Sequence, residues 1–115
     1  MYIWGIFHSC EGQDETIHMD DFEGSLFLTE ELAIQYLKSK EKWWRNMYSD
    51  PCLTEWCKKE LFDSKAPDEA IHWTKEPNEY DDDEVQIVLI RDYSGDNGIK
   101  MRKRYVARQL NVREQ

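Results

Sequence analysis

Apolar and polar positions change period several times along the chain, and the changes mark out its elements. "YIWGIF" (2–7) is apolar on both faces and rich in aromatic and β-branched residues, the pattern of an interior strand. "CEGQDE" (10–15) is a turn signal, and Thr16–Phe22 is expected to return as a second strand that Gly24 ends. From Leu28 the period becomes helical. Ala33, Tyr36, Leu37, Trp44, Met47 and Tyr48 recur at spacings of three and four over 28–48, with Thr29 as N-cap and Glu30 and Glu31 at the positive end of the helix dipole. "SDPCLTEWCKKELF" (49–62) predicts a second helix, capped by Asp50, with Pro51 in its first turn and Leu53, Trp56, Cys57 and Leu61 as its stripe.

The pattern weakens from Ser64 to Glu84. "APDEAIHWTKEPN" offers either one helical turn or a short edge strand, and its two prolines and following acids favour a loop. "VQIVLIRDY" (85–93) then reads as a central strand and "IKMRKRYVA" (99–107) as its partner, with the hairpin residues "SGDNG" between them. The expected fold is a single α+β domain over 1–115. It has an antiparallel sheet of about four strands in the order ββ-α-α-ββ, with two helices packed on one face.

Composition supports one core. The chain has 115 residues, 40% of them apolar, including five Trp, six Tyr and four Phe, enough to fold despite 34% charge. No apolar run is long enough to span a bilayer, and "MYIWGIFHSC" lacks the basic region and cleavage site of a signal peptide. Three cysteines do not make a disulfide framework, so the expected setting is the reducing cytoplasm, and that of a host if a phage encodes the chain. The net charge of −9 is unevenly spread. Residues 1–99 carry 9 Lys/Arg against 23 Asp/Glu, a net of −14, whereas residues 100–115 carry 6 against 1, a net of +5. A body this acidic repels nucleic acid and attracts basic proteins.

Its densest point is "EPNEYDDDE", where Glu76, Glu79, Asp81, Asp82, Asp83 and Glu84 place six carboxylates in nine residues around Tyr80. These residues, with Trp43, are the candidate partner-binding set. Trp43 and Trp44 are adjacent on a helix and point about 100° apart, so one of them is expected outside the core, where a Trp can anchor an interface. Lys100, Arg102 and Arg104 share one face of the last strand. They form either a phosphate-binding stripe or the charged solvent side of an antiparallel strand, and the acidic remainder favours the second.

Other chemistry finds less support. "PCLTEWC", Pro51-Cys52-x4-Cys57, resembles the Pro-Cys-x-x-Cys half of the zinc-dependent nucleobase deaminases, with His18-Met19-Asp20 in the place of their His-x-Glu. The resemblance implies a zinc held by His18, Cys52 and Cys57 and a small deaminase-like enzyme. Asp20 is one methylene shorter than the proton-shuttling Glu, and His18 falls in a strand where that family has a helix start. A structural zinc on His8, Cys10, Cys52 and Cys57 is chemically consistent, but the x4 spacing diverges along a helix. "DYSGDNG" lacks the sixth-position Gly and twelfth-position Glu of a calcium loop. No Gly-rich phosphate loop or nucleophile elbow is present. The leading expectation is therefore a non-enzymatic binding protein without a cofactor, docking its acids on a basic surface of another protein, a nucleic-acid-binding surface included. In size and acidity it resembles the small inhibitors that phages encode against host or defence proteins, some of which act as nucleic-acid mimics. An immunity or antitoxin-type partner would share the same docking physics.

Overall fold

The computed structural model describes residues 2–12, 21–52, 62, 66–78, 81–94 and 100–111, with 78 and 81–85 described by their backbone alone. The elements run β1 (Tyr2–Gly12), β2 (Asp21–Phe27), α1 (Glu30–Tyr48), α2 (Pro67–Ala70), β3 (Ile71–Asn78), β4 (Asp81–Ser94) and β5 (Lys100–Asn111). Five strands form one sheet in the order β2-β1-β5-β4-β3, and every neighbouring pair is antiparallel. β1 and β2 make a hairpin, β3-β4-β5 a meander, and the β1–β5 ladder joins the two. The fold is α+β, with five strands and one main helix among the described residues, where the sequence pattern predicts about four strands and two helices. The strand that was not expected is β3.

That strand explains the weak stretch at 64–84. Pro67 opens a single helical turn, and the chain passes directly from Ala70 into β3 at the sheet edge. Pro77 is tolerated there because an edge strand has one side free of ladder bonds. Lys75, Glu76 and Pro77 also protect that edge from pairing with other chains. Both alternatives read from "APDEAIHWTKEPN" are realised in succession, and the loop is not.

Two boundaries at the N-terminus differ from expectation. β1 continues to Gly12, because Ser9 to Gly12 keep pairing with Arg104 to Met101. β2 begins at Asp21 and runs through Gly24 to Phe27. Between the pairs Phe7↔Phe22 and Gly5↔Leu26, β2 holds two extra residues, and Gly24 at φ +96° absorbs them. Gly24 is therefore the pivot of a bulge and does not terminate the strand, since only glycine adopts that φ without strain. The segment 16–20 lies outside the described residues.

Helix α1 follows its sequence pattern closely. The Thr29 hydroxyl accepts from the Leu32 amide at 3.2 Å, as an N-cap should. Ala33, Leu37 and Trp44 are buried, and Ile34, Tyr36, Met47 and Tyr48 pack partly against the same cluster. With Trp4, Ile6, Ile71, Ile87, Leu89 and Ala107 from the sheet they make the principal core. Asp50 accepts from the Cys52 amide at 2.8 Å, so it caps the chain where the second helix was expected. Most of that helix, 53–61, lies outside the described residues. Phe62 is fully buried and meets Tyr48 edge to face, with ring centroids 5.1 Å apart.

α1 and α2 pack on one face of the sheet. The opposite face carries no described helix, yet Val88 and Val106 there are wholly buried and Ile90 nearly so. What shields them is a layer of polar side chains. Long cationic residues lay their aliphatic stems over apolar surface and keep their heads at the solvent boundary.

Candidate interaction surface

The open face is built by the alternation of the strands. Side chains two apart share a face, so Arg102, Arg104 and Arg108 of β5 lie beside Asp92, Ile90, Val88 and Gln86 of β4. Arg104 is opposite Ile90 in register, and its guanidinium reaches across β4 to Glu76 on β3. Its other nitrogen donates to Glu11 of β1 at 3.1 Å. The Arg104 side chain is 12% exposed, so two carboxylates from strands on either side of the β5–β4 pair close on one sheltered cation. Glu76 also accepts from Gln86 at 3.5 Å, and Gln86 accepts from Arg108 at 3.0 Å. The Arg108 guanidinium lies 4.5 Å from the centre of the Phe7 ring, which completes the cover over Val88 and Val106.

A second network sits towards the β4–β5 turn. Arg102 donates to Asp92 at 2.9 Å, and the His72 ring is 3.3 Å from the other carboxylate oxygen. Burial pushes the Asp92 carboxyl up, but the hydrogen bond and charge of Arg102, with His72, outweigh it and hold the group below the usual carboxylate value. Such a group stabilises the fold above the unfolded carboxylate pKa of about 4, and the contribution is lost as pH falls through its lower folded value. Asp92→Asn is accordingly expected to cost about 1–2 kcal/mol at neutral pH. It should also flatten the fall in stability below about pH 4, which urea unfolding across an acid pH series would read.

The basic stripe thus meets internal partners. Arg102 pairs with Asp92, and Arg104 pairs with Glu11 and Glu76, while Lys100 is exposed at the start of β5. A phosphate backbone approaching this face would have to displace carboxylates already in place. Arg102 and Arg104 are therefore held by carboxylates of neighbouring strands.

The candidate partner-binding residues fall in three places. Glu76 is on the open face and is engaged by Arg104 and Gln86. Glu79 and Tyr80 lie outside the described residues, between the paired positions Asn78 and Asp81. The backbone of Asp81, Asp82, Asp83 and Glu84 begins β4. Between the pairs Asn78↔Asp81 and Pro77↔Val85, β4 holds three extra residues, so the acidic run occupies an irregular hairpin end. Trp43 is 59% exposed on the outer side of α1, whereas Trp44 is 2% exposed. α1 runs antiparallel to β3. Arg45 meets Asp68 at 2.7 Å, Glu41 accepts from the Trp73 indole, and Ile34 and Lys38 share an apolar cleft of about 510 Å³ with Lys75. The acidic hairpin therefore lies beyond the N-terminal half of α1, and Trp43 projects from the C-terminal half. The structure does not bring the two together.

The zinc readings rest on residues that are scattered or outside the described set. His8 and Cys10 share a face of β1, Cys52 is exposed beyond the end of α1, and His18 and Cys57 are not described. Among the described residues no group of three or more His, Cys, Asp or Glu is placed to hold a metal ion. Among the described residues, no helix is long and apolar enough to cross a membrane.

These features define an α+β domain with one helix-covered face, one open face on which Arg102 and Arg104 are paired with carboxylates, and a hairpin end of acidic sequence. No family model, curated protein or solved structure matches the chain.

Proposed function

We propose that the chain is a non-enzymatic binding protein that docks its acidic β3–β4 hairpin on a basic surface of a partner protein. The observation that carries this reading is how the charges are distributed. Arg102 and Arg104 of the open face are matched by Asp92, Glu11 and Glu76, while the sequence holds five further carboxylates in the stretch 79–84. Closely spaced carboxylates on an extended segment resemble the charge spacing of a nucleic-acid strand. A groove built for nucleic acid is the kind of basic surface that would accept them. An inhibitor of this type, such as a phage-encoded anti-defence protein, works by occupying that groove, and an immunity or antitoxin protein would dock by the same physics.

The test is co-purification from the natural host at low salt, with mass spectrometry of the captured protein. A basic partner should be retained at low ionic strength and released as salt rises, because exposed charges are screened within a Debye length. A variant with Asp81, Asp82, Asp83 and Glu84 changed to their amides should remain folded and lose the partner. Retention of the partner by that variant, or at high salt, would refute the reading.

A further inference from the structure

The helix-side face of the sheet contains a row that the open face does not repeat. Cys10 of β1 is opposite Lys103 of β5, and Lys103 is opposite Arg91 of β4. Like charges directly opposite on antiparallel strands repel, and a carboxylate nearby is the ordinary remedy. One residue away, on the other face of the same strands, that remedy is in place, since Arg102 is held by Asp92 and Arg104 by Glu11 and Glu76. Among the described residues, no carboxylate comes within ion-pair reach of Arg91 or Lys103.

Both cations are instead lodged among rings. The Arg91 guanidinium lies 5.0 Å from the centre of the Trp44 ring and 5.1 Å from that of Tyr93, and its Nε is buried without a hydrogen-bond partner. Burial pulls its pKa below the ordinary arginine value, against the opposing influence of Tyr93, Tyr105 and Cys10, although the group remains charged. The Lys103 ammonium is 5.4 Å from the Tyr105 ring and 3.4 Å from His8 Nδ1. An ammonium only donates, so in this contact His8 accepts through Nδ1. The neighbouring Lys40, over the same Tyr105 ring, is by contrast matched by Glu23 at 3.4 Å.

A chain of net charge −9 has ample carboxylates, yet among the described residues none pairs with these two half-buried cations, which sit opposite one another. Desolvated and uncompensated, such a pair lowers stability unless an anion joins it. We propose that Arg91 and Lys103 form a binding site for a phosphate group, with the planar guanidinium giving paired N–H donors and the ammonium a point charge that His8 Nδ1 helps to orient. Trp44 and Tyr93 hold the guanidinium in its plane. Arg91 is seven residues along β4 from Glu84, roughly 23 Å at the strand rise of about 3.3 Å per residue, so the site is independent of the docking reading.

The test is a ¹H–¹⁵N titration of the whole chain with inorganic phosphate, against sodium chloride at matched ionic strength, following the Arg91 Nε–H and Trp44 indole signals. A second titration with a nucleoside 5′-monophosphate distinguishes a phosphate carried on a larger molecule from the free ion. Saturable shifts with either phosphate, absent with chloride, support the site. Lys103→Gln, at a partly exposed position, should weaken that response about tenfold with an unchanged backbone spectrum, and Arg91→Lys should weaken it comparably by removing the paired donors. Equal shifts with chloride, or unaltered titrations in both variants, would overturn the proposal.

Discussion

Trp44→Ala is expected to remove about 3–5 kcal/mol of stability, the range for truncating a large aromatic residue in a core. The indole is 2% exposed. It packs 5.6 Å from the Tyr105 ring and beneath the Arg91 guanidinium, so its loss opens a cavity and strips a buried cation of its ring contact. A domain of this size is stable by roughly 5–15 kcal/mol in total, so the variant should be partly unfolded at ambient temperature or show a much lower urea midpoint. Trp43→Ala, one residue away, should change stability by no more than about 0.5 kcal/mol, because that ring is 59% exposed. Far-ultraviolet circular dichroism through a urea series separates the two. Equal costs at the two positions would show that α1 is rotated from the orientation described.

Arg104→Met carries the second large effect. Methionine keeps an apolar stem over Val88 and Ile90 but removes the cation on which Glu11 and Glu76 converge. Two carboxylates then face each other across a sheltered site. Breaking a buried pair by removing one partner costs about 3–5 kcal/mol, and the partial exposure of both carboxylates brings the expected loss to about 2–3 kcal/mol. Glu76→Gln in the Arg104→Met background should restore part of it, a coupling that a double-mutant cycle measures directly. If β5 were instead a phosphate-binding stripe, Arg104→Met would leave stability unchanged and weaken nucleic-acid binding.

How far the sequence could be read depends on whether a signal is local. α1 was legible because its cap, its first-turn acids and its apolar stripe all lie within 28–48 and agree with one another. The β4–β5 hairpin was legible for the same reason. β3 resembles a loop in sequence because its prolines and charges mimic one, and only its place at the sheet edge makes them acceptable. Gly24 was read as a terminator because a glycine's φ is set by the partner strand's register, which local pattern does not carry. The Arg91–Lys103 pair was in principle within reach. Once 94 and 100 are known to pair, counting back three residues on each strand sets the two opposite.

The amino-acid sequence alone therefore determined the elements with a local period, the acidic body, the basic last strand and the exposure of one of two adjacent tryptophans. Tertiary structure alone decided which charges meet. Arg104 finds Glu11 93 residues away and Glu76 28 residues away, and His72 finds Asp92 20 residues away. Charge pairing depends on separations of a few ångströms between strands, and those follow from sheet order and register. That is why Arg102 and Arg104, two cations of a stripe in the sequence, become ion-paired in the fold, while Arg91 and Lys103, far apart in the sequence pattern, become neighbours.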